Sequence, residues 1–85
     1  MVDVLVKRTF DPPIAQGDVR EGIQGAQSCF ALHKVQWRES VLASNGQSMI
    51  CRFTAADAES VRLALRQAGV SFDSVWSHQE KPRTR

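Results

Sequence analysis

The sequence predicts an α+β domain in the order strand–helix–strand–strand–helix–strand, and three observations carry that reading. Two β-prone runs flank Asn45-Gly46, the strongest short-range signal for a two-residue type I′ hairpin. Thr54-Ala55-Ala56-Asp57 opens a helical pattern directly after the second run. A strand pattern and a helix pattern precede the hairpin, and a last strand pattern follows the second helix.

Val2 to Phe10 is rich in β-branched residues and reads as the first strand. Asp11-Pro12-Pro13 ends it, because proline cannot donate to a ladder and restricts the residue before it. A helix follows from about Asp18 to His33, with Val19, Ile23, Ala26 and Phe30 in a stripe down one side. Gly22 and Gly25 each weaken this helix by roughly 1 kcal/mol relative to alanine. Close packing against the sheet or a neighbour would account for them, with plain tolerance as the alternative. Val35 to Ser44 and Gln47 to Phe53 are the hairpin strands. Thr54 is the expected N-cap of the second helix, with Asp57 placed to reach back to it and offset the helix dipole. Val61, Ala64, Leu65 and Ala68 give that helix its apolar face, and Gly69 stops it. Val70 to His78 reads as the last strand, with an interruption at Phe72-Asp73-Ser74.

This order is the ferredoxin-like βαββαβ sandwich, a four-stranded antiparallel sheet with both helices on one face. Right-handed crossovers put the first and third strands in the centre and leave the other face open. Alternation sets Met49, Cys51 and Phe53 on one side of the third strand, and Ser48, Ile50 and Arg52 on the other. Trp76 and His78 share a face of the last strand. Apolar residues of both parities, with Trp37 and Trp76, indicate that neither side of the sheet is fully solvated. An exposed apolar sheet face commonly marks an interface or a ligand pocket.

A chain of 85 residues makes one domain, expected over 1–80, near the lower limit at which a core holds without metals or disulfides. A homodimer that buries the open sheet face would enlarge that core. The net charge of +2 is concentrated at the end: Lys81, Arg83 and Arg85 lie in the last five residues, expected to be a disordered tail. The preceding eighty residues carry eight basic and nine acidic groups. That balance lacks the basic stripe that nucleic-acid binding requires. Asp3, Lys7 and Arg8 break any apolar run at the start, and no stretch is long enough to span a membrane, so a cytoplasmic protein is expected. In that compartment Cys29 and Cys51 are expected as free thiols.

The run Lys7-Arg8-Thr9-Phe10, then Trp37-x-x-Ser40, then Cys51-x-Phe53-x-Ala55-x-Asp57-Ala58-Glu59-Ser60-Val61-Arg62, then Ala68-Gly69-Val70 and Asp73, resembles a family of small bacterial proteins. The domain of that family is of unknown function, and the family includes a nickel-binding member. The resemblance covers nearly the whole chain and is firmest from Trp37 to Asp73. It implies a ferredoxin-like fold paired through its sheets, with Ni²⁺ or another divalent metal as ligand, and no established reaction. Val41 stands where an aromatic residue often follows the serine.

Four residues are the candidate metal donors: His33, His78, Cys51 and Cys29. Cys51 matches the family cysteine and is otherwise a small buried hydrophobe. Cys29 and His33 stand at i, i+4, so one helical face presents both at a spacing that suits a soft or borderline metal. Their alternative roles are packing and complementing the helix dipole. His78 beside Trp76 is a metal ligand, a general base or a solvated histidine. Asp73, Glu39 and Arg52 are polar residues without an evident pairing in the sequence. No nucleophile–base pair, phosphate loop or clustered metal motif is present. Three functions follow: a small metal- or ligand-binding protein working as a homodimer; a cofactor-independent isomerase- or oxygenase-like enzyme with a pocket beside the sheet, using His78 or His33 as base; or a non-catalytic interaction module. Four donors within one subunit are not expected, because Cys51 points toward the helices while His78 falls on the open face or in the tail. A site shared across two subunits relieves that conflict.

Overall fold

All six elements are present in the expected order. A computed structural model describes residues 1–78, so the tail expected at 81–85 lies outside the described residues. The elements are β1 (Val2–Thr9), α1 (Gln16–Leu32), β2 (Gln36–Leu42), β3 (Ser48–Ala55), α2 (Ala58–Gln67) and β4 (Ser74–His78). The strand order is β2-β3-β1-β4 and every neighbouring pair is antiparallel, which is the ferredoxin-like arrangement. β1 and β3 are central, as right-handed crossovers require.

Alternation along the central strands decides which side of the sheet is dry. Val4 and Val6 of β1 and Met49, Cys51 and Phe53 of β3 face the helices and are buried. Phe30 of α1 meets Phe53 edge-on, with ring centroids 5.3 Å apart; such a pair adds about 0.5–1.5 kcal/mol to the area it buries. Val61, Ala64 and Leu65 of α2 close the core from the other side. α1 packs along β2, and α2 packs along β3 and β4, where Arg62 donates to the Val75 carbonyl at 2.7 Å.

Five local expectations are corrected. Thr54 does not cap α2: β3 runs on to Ala55, which pairs with Val2, so Thr54 belongs to the ladder. Asp57 is the cap itself, and its carboxylate accepts from the Ser60 amide at 2.8 Å and the Ser60 hydroxyl at 2.7 Å. These bonds hold the Asp57 carboxyl below the usual range. The hairpin is not a two-residue type I′ turn, which needs positive φ at both central residues. Only Gly46 has it, at +72°, and the turn bond runs from the Gly46 amide to the Ala43 carbonyl at 2.8 Å. Ser44 and Asn45 are therefore central, with Asn45 Oδ1 accepting from the Gln47 amide at 2.9 Å.

Gly22 and Gly25 are not packing glycines, since an added Cβ at either meets nothing within 4 Å. Gly46 is the glycine that a close approach requires, because its Cβ would collide with the Ile14 carbonyl oxygen. α1 begins at Gln16, two residues early, because Asp18 reaches back to the Ala15 amide at 2.9 Å and secures the first turn. The last strand starts at Ser74 rather than Val70: the Val70 amide closes α2 on the Leu65 carbonyl, and the register with β1 begins with Ser74 opposite Lys7. No helix among the described residues is long and apolar enough to cross a membrane.

Candidate functional site

The helix-free face is a grid fixed by strand register. Gln36, Thr54, Asp3 and His78 form one row across the four strands; Glu39, Arg52, Leu5 and Trp76 form the next; Val41, Ile50, Lys7 and Ser74 form the third. A string of charged groups crosses this grid from edge to edge. Arg52 Nε donates to Glu39 Oε2 at 3.0 Å, Arg52 lies 3.6 Å from Asp3 Oδ2, and His78 Nε2 lies 3.6 Å from the same oxygen. Each pair is partly exposed, which limits it to about 0–1 kcal/mol. Apolar side chains flank the string, with Val41, Ile50 and Trp76 all exposed.

Glu39 and Arg52 thus do pair. Asp3 does not stand out in the sequence, and only the β1–β4 register, which sets it opposite His78, gives it a place beside a candidate ligand. Asp73 is not part of the string; its amide donates to the Lys7 carbonyl at 2.8 Å.

The helix-covered side holds the candidate thiol in different surroundings. Trp37 Nε1 donates to Ser40 Oγ at 2.9 Å, and Ser40 Oγ donates to Cys51 Sγ at 2.9 Å. Burial pushes the Cys51 thiol pKa up, and the Ser40 bond and the nearby Arg8 guanidinium oppose that only in part. Burial likewise lowers the pKa of Arg8, whose Nε donates to the Ser71 carbonyl at 2.7 Å. A void of about 30 Å³ touches Cys51 and Arg8, room for about one water molecule.

Cys29 and His33 occupy neighbouring turns of α1, as their spacing predicts. His33 caps the helix, and its Nε2 lies 2.7 Å from Gln67 Oε1, a contact that joins the ends of α1 and α2. The four proposed donors therefore do not converge: Cys51 is under the helices, Cys29 and His33 are on α1, and His78 is on the opposite face of the sheet. Among the described residues no group of three or more His, Cys, Asp or Glu side chains could hold a metal ion. Both cysteines are free.

A groove lies beside the sheet, at its β2 edge. One face of α1, from Gln16 to Gln27, and the residues Trp37 to Ser40 enclose about 440 Å³. Val19, Ile23 and Trp37 supply apolar wall, and Arg20 and Arg38 supply positive charge.

These features define a small α+β domain with a charged and apolar sheet face on one side and an edge groove on the other. The chain belongs to the family described as nickel responsive protein, SCO4226-like, whose model matches residues 5–77. The crystal structure of SCO4226 from Streptomyces coelicolor A3(2) is similar to this chain with a TM-score of 0.78. That likeness covers 98% of this chain and 99% of the other at 14% sequence identity, and at that identity it speaks for the fold alone. No curated protein matches the chain.

Proposed function

We propose that this protein binds nickel as a homodimer, with the helix-free sheet faces opposed and the metal held between subunits by His78 together with Asp3. The observation that carries this reading is the His78–Asp3 pair, 3.6 Å apart at one end of the charged string on the helix-free face. An imidazole nitrogen and a carboxylate oxygen are donors that suit nickel. The family description as nickel responsive supports the choice of metal.

One subunit supplies too few donors for a closed site, and a second copy would double them. The same pairing would cover Ile50, Val41 and Trp76, which are large apolar residues left in water by a single chain. Metal affinity then depends on dimerisation.

Nickel titration of the full chain by calorimetry, with native mass spectrometry for stoichiometry, tests the reading. Sedimentation equilibrium at micromolar concentration should report about twice 9.5 kDa. His78→Ala should weaken nickel binding at least tenfold, or about 1.4 kcal/mol, while His33→Ala and Cys29→Ala leave it unchanged. Unchanged affinity in both His78→Ala and Asp3→Asn proteins would sink this site.

A further inference from the structure

We propose that the groove between α1 and β2 binds a small planar aromatic carboxylate, with its ring against Trp37 and its carboxylate toward Arg20 and Arg38. This goes beyond the nickel reading and is independent of it: β2 and β4 are opposite edges of the sheet, so the groove and His78 are on different sides of the molecule.

The volume of about 440 Å³ falls within the range of small-molecule sites, about 300–1,000 Å³. The groove also has the composition of such sites, apolar walls with a few placed polar groups. Val19 and Ile23 belong to the apolar stripe of α1 and pack against the core, yet they are only partly buried and also line the groove. Trp37 is 37% exposed although its neighbour in the register, Phe53, is deep in the core. Its ring is not loose, since the bonds from Trp37 Nε1 to Ser40 Oγ and from Ser40 Oγ to Cys51 Sγ tie it to the sheet. A fixed indole wall loses little freedom when a flat ring stacks on it.

Charge selects an anion. Arg20 and Arg38 line the groove, and the acid there, Glu39, is engaged by Arg52 at 3.0 Å. Arg38 lines the groove from the bulged edge of β2, and its Nε also donates to Thr54 Oγ1 at 2.8 Å. A guanidinium matches a carboxylate with two parallel hydrogen bonds.

The alternative occupant, an extended peptide added to the β2 edge, meets an obstacle in the same residues. The ladder is bulged between Trp37 and Glu39, in the middle of the groove. A bulge interrupts the even row of amides and carbonyls that strand addition uses. A compact ligand has no need of that row.

The test is titration of the full chain with naphthalene carboxylate, followed by amide and indole NH chemical shifts. Saturable shifts at Ile23, Gln24 and the Trp37 indole are expected. The neutral naphthalene carboxamide should bind at least tenfold more weakly, and the Arg20→Gln/Arg38→Gln double variant should lose at least tenfold in affinity for the acid while its nickel affinity stays at the wild-type value. Equal affinity for acid and amide overturns the proposal, as do shifts elsewhere or no saturation by about 1 mM. An extended acidic peptide that shifts the same residues more tightly than the acid would overturn it in favour of strand addition. Trp37 shifts that change on dilution of the ligand-free protein would assign the groove to a second copy instead.

Discussion

On one face of the sheet β1 and β3 present Val4, Val6, Met49, Cys51 and Phe53, each almost wholly removed from water. On the other face the same two strands present Asp3, Leu5, Lys7, Ile50 and Arg52, only partly covered and with an ion pair between Arg52 and Asp3. The residues alternate along a single chain, so the two faces cannot be changed independently by moving a strand. They differ in what they are for. The covered face sets stability through close packing, while the bare face keeps charged groups and large apolar side chains side by side, which a monomer gains little from. In a domain of this size, burial on one face is nearly all the core available.

The sharpest way to break this contrast is to truncate neighbours on opposite faces of β3. Phe53→Ala removes a ring that is 1% exposed and its edge contact with Phe30, and should cost about 3–5 kcal/mol in urea denaturation. Ile50→Ala, three residues away and 38% exposed, should cost less than the roughly 2 kcal/mol where buried truncations begin. Equal losses would mean that the bare face is in fact covered. A loss at Ile50 that grows with protein concentration would place the proposed dimer interface there.

The glycines sharpen the comparison at the edges of the covered layer. Gly46→Ala places a Cβ against the Ile14 carbonyl oxygen at positive φ and should destabilise by more than about 1 kcal/mol. Gly25→Ala adds a methyl into open space on a helix and should stabilise by about 0.5–1 kcal/mol. Thermal unfolding of the two variants should therefore move in opposite directions. A stabilised Gly46→Ala protein would contradict the docking of the hairpin tip on the segment after β1.

What was legible in the sequence followed from periodicity and chain order. The stripe Val19, Ile23, Ala26 and Phe30 and the alternation Met49, Cys51, Phe53 each named the buried side correctly, because burial is what those periods encode. Capping was less legible. Thr54 and Asp57 are both good caps, and the choice between them is made by how far β3 remains paired with β1, a non-local fact. The same holds for Asn45-Gly46, where docking of Gly46 on Ile14 helps set the turn.

The candidate site was legible only in pieces. His78 is conspicuous, while Asp3 gains meaning from a strand that is 75 positions away in sequence and adjacent in register. Two of the residues that carry the family resemblance, Trp37 and Ser40, prove to be linked through a hydrogen-bond chain to a third, Cys51. That chain explains the pattern by the architecture of the covered face and leaves the metal reading to His78. Cys29, His33 and Cys51 were plausible donors by residue type, and the topology separates them.

The smallest expected effect concerns Cys51, where the covered face acts on a titration. Burial raises the thiol pKa in the folded chain above its value in the unfolded one. Below about pH 8.5, the ordinary thiol value, both states hold the proton and the thiol contributes nothing to the pH dependence. As pH rises past that value the unfolded chain releases its proton first, the folded chain binds more protons, and stability falls. The fall continues until the folded thiol itself ionises. The urea midpoint of the wild-type protein should therefore decline between about pH 8 and pH 9.5, and Cys51→Ala should flatten that decline. Absence of tyrosine from the chain removes one competing group from this window. A direct measure is alkylation at neutral pH: Cys29, half-buried on α1, should react at least about tenfold faster than Cys51, because the thiolate is the reacting form and Cys51 is both buried and held protonated. Equal rates for the two thiols in the native protein would show that the covered face opens readily to solvent, and the contrast between the two faces would fail at its driest point.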